Sequence, residues 1–267
     1  MIKFFRKIRY NLMEQNKTGK YFKYAIGEII LVMIGILLAL QVNNWNQKSK
    51  NAQLEEQYFI RLLEDLNEDS AILEAKLNYE LDIKVHATKA ISILENTEAK
   101  PYNYEEALIS LYQASQLSYP TASISTYTEL IASGRFEIVK SDNLKTSLVR
   151  YYEGHWATGR IILLPNNYRD NLRSKMPYTI QDEIRSKCDD EYIKIRSTYE
   201  VKLPKNCNID LPQQLAQQAL ELLKKDESIK SDLRVQIGNN EAQIHYMNNA
   251  KEHLNSLIDE LQVEVNN

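Results

Sequence analysis

The segment Tyr151–Arg160, YYEGHWATGR, gathers more chemistry than any other stretch of this 267-residue chain. Glu153, His155, Trp156 and Arg160 place a carboxylate, an imidazole, an indole and a guanidinium within reach of one another, either lining a pocket or filling a helix interface. The other histidines, His86, His245 and His253, form no H-E-x-x-H or H-x-x-x-H spacing, which leaves a metal centre without support. No G-x-G-x-x-G, Walker A or G-x-S-x-G string occurs, and 7 glycines leave little material for phosphate-binding loops. Acidic pairs such as Glu64–Asp65 and Asp189–Asp190 read as the solvated face of long helices. The sequence therefore predicts no catalytic residue, no cofactor, no metal and no small-molecule substrate.

The elements that must carry these residues are read from hydrophobic periodicity. Tyr24–Asn46, YAIGEIILVMIGILLALQVNNWN, is apolar without a polar stripe from Ile29 to Leu40. Nineteen residues of helix, Tyr24 to Val42, span roughly 28 Å, close to a hydrocarbon core of about 30 Å. A cleavable signal needs small residues before the cut, and LLALQVNN offers only Ala39. Tyr21, Phe22 and Tyr24 at one end and Trp45 at the other suit the two membrane interfaces. Side chains up to Lys23 sum to +6 and the remainder to −9. Basic residues before the span place the N-terminus in the cytoplasm and the body outside it. This predicts three segments: a basic cytoplasmic end over 1–23, a transmembrane helix over 24–44, and an extracytoplasmic domain over 45–267.

Glu28 lies within the first turns of that span, where a carboxylate can snorkel to the headgroups or serve a partner or a proton. Gly27, Leu31, Gly35 and Ala39 recur every fourth residue, and Gly35-x-x-x-Ala39 permits close approach of a second helix. Gly27, Glu28, Gly35 and Ala39 are thus the candidate association face, for a homo-oligomer or another membrane protein. The basic end faces anionic lipid rather than nucleic acid.

Two stretches carry a family resemblance. MIKFFRKIR followed by YAIGEIILVMIGILLALQVNNWN, and later STYTELIASGRFEIVKSDNLKTSLVRYY, resemble the recurring blocks of an uncharacterised family of single-pass membrane proteins from Bacteroidota. The resemblance covers under a third of the chain. It implies a membrane location and a helical extracytoplasmic domain, which in a Gram-negative host is periplasmic, and it implies no reaction.

Beyond the span the pattern is helical. From Asn46 to about Leu94 there is no Pro or Gly, and Leu54, Tyr58, Leu62, Leu66, Leu73, Leu77, Leu81, Val85 and Ile91 recur at helical steps. The membrane helix is expected to run into this one unbroken, and NTEAKP to end it. A shorter helix from Tyr104 to about Gln116 stops before Pro120. Ser123 is expected to cap the next, with Gly134 as its left-handed terminator, and Ser141 to cap a helix running toward Ser174 with a break at Pro165. YIKIRSTYEVKLP suggests a short strand pair or an irregular loop. Cys188 and Cys207 are the only cysteines. Outside the cytoplasm they form a disulfide, with two buried thiols as the alternative.

Leu233, Ile237, Asn240, Ile244, Met247, Lys251, Leu254, Ile258, Leu261 and Val265 make a heptad seam with Asn240 and Lys251 as polar interruptions. It packs against the Asn46–Leu94 helix in a bundle, or against another chain as a coiled coil. The fold class is mainly α, with one transmembrane helix continuing into an extracytoplasmic helical bundle, long coiled-coil-like helices and a small irregular or β insertion. The function this supports is a membrane-anchored periplasmic interaction or scaffold protein. The alternative is a sensor-like or proton-coupled subunit that passes a signal through the span by way of Glu28.

Overall fold

The computed structural model describes residues 10, 18–96 and 103–266, and side chains within 18–21 and at 24 are left aside. The basic residues Lys3 to Lys17, the interfacial Tyr21 and Tyr24 side chains and most of NTEAKP lie outside the described residues. Two compact units divide the chain, Met1–Gln57 and Tyr58–Asn267.

Helix α1 runs as one element from Thr18 to Glu95, 78 residues with no proline to break it. From Ile29 to Leu40 it has no polar stripe, and every residue from Ile29 to Lys50 is exposed.

The second unit is helical apart from one hairpin. It contains the rest of α1, then α2 (Tyr104–Gln113), α3 (Ser125–Ala132), α4 (Asp142–Glu153), α5 (Asn167–Lys175) and α6 (Tyr178–Cys188). Strands β1 (Glu191–Ile195) and β2 (Thr198–Lys202) pair antiparallel, followed by α7 (Gln213–Lys225) and the 40-residue α8 (Glu227–Asn266). The strand pair resolves the choice left open for YIKIRSTYEVKLP. Its turn places Arg196 at φ 41°, in the left-handed region.

Helix α8 lies antiparallel to α1, as the cross-links between them require. Lys251 pairs with Glu74, Asn240 donates to Glu80, Lys84 meets Glu241 at 3.1 Å and Arg234 meets Glu95 at 2.7 Å. The seam of α8 is thus satisfied within the chain, against the helix the sequence reading named. Its membership differs in part. Gln236, Gln243 and Leu257 are buried, while Ile237 and Ile244 are only half-buried. Two glutamines occupy inward positions that an apolar count assigns to the neighbouring isoleucines. Gln236 donates to Asn240 at 3.3 Å and Gln243 to the Ile162 carbonyl at 3.3 Å, so their amides are partnered.

A similar offset occurs on α1. Leu62, Leu66, Leu73 and Leu77 are buried, but Leu81 and Val85 are exposed, and Tyr79, Ile83, Ala87 and Ala90 take the interior. Repeated steps of four advance about 400° against a 360° turn, so a run of them drifts off the packed face.

The main core joins Ala87, Ala90 and Leu94 of α1 to Leu108 and Leu111 of α2, Leu172 of α5, Ile184 of α6, Leu220 of α7 and Leu233 of α8. Helices α4 and α5 pack on α8, and α2 packs on α7.

Local signals explain most boundaries. Asn103 caps α2 by accepting from Glu106 N at 3.2 Å, and Ser141 caps α4 by accepting from Leu144 N at 3.3 Å. Gly134 follows α3 with φ 67°, a conformation that a side chain would strain. Two expectations change. Ser123 does not cap α3, whose N-cap position is Ile124, without a side-chain bond. The α4 segment stops at Gly154 rather than Pro165, because His155 leaves helical geometry to reach the interior.

Cys188 and Cys207 form a disulfide that ties the end of α6 to the segment before α7, and Cys188 is buried in the core. Reducing it, or replacing both cysteines with Ser, is expected to lower unfolding stability by about 3 kcal/mol on the loop-entropy estimate. Urea unfolding with and without reductant measures this, and the double-Ser variant should lose the reductant effect.

Candidate functional site

Between Glu64 and Glu80, α1 carries a row of carboxylates on or beside its inward face, and each holds another part of the chain. Glu64 pairs with Arg196 at 2.6 Å, and Glu68 accepts from Ser197 N at 3.0 Å and Ser197 Oγ at 2.5 Å, so both grip the hairpin turn. Asp65 accepts from Thr126 N at 2.8 Å and Ser125 Oγ at 3.1 Å. That carboxylate does for the start of α3 what a local cap would do, which accounts for the missing one. Ser123 N donates to Asp69 at 3.2 Å and Ser123 Oγ to Glu68 at 3.3 Å. Burial opposes ionisation of Glu68, but the Ser197 and Ser123 donors and the Arg196 charge hold its carboxyl below the ordinary glutamate value.

Asp69 is fully buried and organises the Tyr151–Arg160 segment. The Tyr151 hydroxyl donates to Oδ2, and His155 Nε2 lies 2.6 Å from the same oxygen. Ala157 N donates to His155 Nδ1 at 3.2 Å, so the second ring nitrogen accepts and the proton of a neutral ring sits on Nε2, facing Asp69. Both nitrogens are committed, and the ring keeps no lone pair for a substrate proton. Burial and the adjoining Asp69 carboxylate push the Tyr151 phenol up. Tyr152 is raised by burial first, then by Asp65 and Asp69, and its ring stacks on Tyr127 at 4.4 Å. This cluster is chemically an anchor: a phenol and an imidazole donating to a buried anion.

The four candidate pocket residues are not brought to one cavity. His155 and Trp156 are buried, whereas Glu153 and Arg160 are exposed. Glu153 accepts from Tyr127 at 3.5 Å. Trp156 alone of the four lines a cleft of about 470 Å³ between the α4 side and α8. The cleft's other lining residues include Ser147, Arg150 and Tyr151 on one wall and Tyr246, Asn249, His253, Ser256 and Glu260 on the other. Gly159 packs closely against Tyr246, since a Cβ there would lie 2.9 Å from Tyr246 Cζ.

Sequence reasoning missed Asp69, Tyr151, Arg150 and Tyr246. For Asp69 a signal existed, because Leu62, Leu66, Asp69, Leu73, Lys76 and Glu80 share one helical stripe and a charge in such a stripe calls for a partner. For the cleft there was none, since its walls are far apart in sequence.

The span candidates belong to the first unit. Gly27 and Gly35 have open space where a Cβ would project, and Ala39 is exposed. Among the described residues, no group of three or more His, Cys, Asp and Glu is placed to hold a metal ion.

Compared with known proteins, residues 28–175 match the profile of a family of unknown function, DUF6090, over more than half of the chain. No curated protein and no solved structure matches.

Asp69→Asn keeps the shape of the side chain but replaces the anion under Tyr151 and His155 with an amide, one of whose ends donates. A loss of about 1–3 kcal/mol is expected, because buried donors then compete for one neutral oxygen. Urea unfolding read at the tyrosine signal measures it, and a change below a few tenths of a kcal/mol would show that the anion carries little.

Proposed function

The chain belongs to this family of unknown function, DUF6090, and we propose that it is a single-pass membrane protein whose helical body lies outside the cytoplasm and works by binding a partner or a second copy. The observation that carries the reading is the N-terminal part of α1. Its most apolar 18-residue window has a mean hydropathy of 2.4 and is 0% buried. A core helix of that composition would be covered by the rest of the chain, so this one calls for another apolar solvent, and a bilayer supplies it.

Orientation rests on charge. The basic residues from Lys3 to Lys23 precede the span, which favours an N-terminus in the cytoplasm. The Cys188–Cys207 bond agrees with a body in an oxidising compartment. In a Gram-negative host such as the Bacteroidota, that compartment is the periplasm.

The commitment of His155 and Asp69 to anchoring supports a binding role for the body. A second reading, transmission of a proton or a conformational signal through the span, is favoured by the carboxylate of Glu28 inside the apolar helix.

A reporter that is active only outside the cytoplasm, fused after Asn267, is expected to be active in intact cells. Activity of a cytoplasm-only reporter at the same site would overturn the orientation. Gly35→Leu combined with Ala39→Leu is expected to weaken crosslinking of the span by several-fold, because large side chains hold helix backbones apart. Glu28→Gln separates the two readings. A binding protein should keep its crosslinked partners and cellular phenotype, whereas a proton-coupled subunit should assemble normally and lose its phenotype.

A further inference from the structure

The cleft between α4 and α8 shares Tyr151 with the anchoring of α1, but Arg150, Tyr246 and His253 of its walls lie outside that cluster and make the cleft chemically specific. We infer that it binds a small organic carboxylate bearing an aromatic ring, with Arg150 holding the carboxylate and Tyr246 and Trp156 beside the ring. Its volume of about 470 Å³ falls in the range typical of small-molecule sites, about 300–1,000 Å³.

Arg150 supplies the charge. Arg61, Arg185, Arg196 and Arg234 each pair with a carboxylate. The Arg150 guanidinium is exposed on the cleft wall and, among the described residues, pairs with none. Glu260, the one carboxylate of the lining, makes no ion pair with it, so the planar fork of N–H donors stays available for bidentate contact. Asn249 and His253 add polar groups on the facing helix.

The ring end is equally defined. Tyr246 is half-buried, and its close fit over Gly159 limits where the phenol can go. Trp156 is 2% exposed and forms part of the lining. A ligand with an anionic head and a flat apolar body meets both ends at once.

Trp156 is also the reporter. The chain has 2 tryptophans, so Trp45→Phe leaves Trp156 as the sole indole. Benzoate titrated into that full-length protein in detergent is expected to change Trp156 emission saturably. Benzamide and benzylammonium, of the same size but neutral and cationic, are expected to leave it unchanged. Arg150→Ala should weaken benzoate binding about tenfold or more with the helical circular dichroism unchanged, and Arg150→Lys should restore part of it. Glu260→Gln should bind as well or better. Absence of saturation by benzoate, equal response to benzamide, wild-type affinity in Arg150→Ala or weaker binding in Glu260→Gln would each overturn the assignment. Detergent carries no orientation, so the outcome does not depend on how the span sits in a membrane.

Discussion

A buried carboxylate must be hydrogen-bonded, and the second unit is arranged around that demand. Asp65 and Asp69 stand on the inward side of α1, where water does not reach them freely. Ionised there without donors, each would cost several kcal/mol. Backbone N–H groups of Ser123 and Thr126, the Tyr151 phenol and the His155 imidazole supply the donors. These groups come from the start of α3 with the residues just before it, and from the end of α4 with the residues just after it. Satisfying α1 thus fixes where both lie.

The same demand sets the register of the two long helices. Lys76 is almost wholly buried, bonded to Glu80 at 2.6 Å and to the Ser118 carbonyl at 2.7 Å. Asn240 of α8 reaches the other oxygen of Glu80. Sliding α8 by one turn would break the bond between the Asn240 amide and the second oxygen of Glu80, whereas leucine against leucine would tolerate the slip. A polar residue at a seam position specifies alignment in this way at some cost in stability. Here it does so inside one chain.

The first unit meets the opposite constraint. From Ile29 to Leu40 the helix presents large apolar side chains all round, with its backbone groups bonded internally. That arrangement suits a medium offering neither hydrogen bonds nor an aqueous interface. The second unit pairs charges on one helix face, and the stretch from Ile29 to Leu40 carries no charge to pair.

The sequence by itself determined what depends on neighbours along the chain. Helix content, the long unbroken α1, the Ser141 cap, the Gly134 terminator and the apolar stretch are properties of local composition and period. The antiparallel pairing of Cys188–Cys207 neighbours into a hairpin was also within reach, because β-branched and aromatic residues flank a short turn. Tertiary structure alone decided which face of each helix turned inward. Gln236 and Gln243 entered the interior in place of Ile237 and Ile244, and Asp69 became the acceptor for a phenol and an imidazole 82 and 86 residues away. Periodicity ranks side chains by their affinity for water. A buried polar group depends instead on a partner whose position along the chain is set by folding.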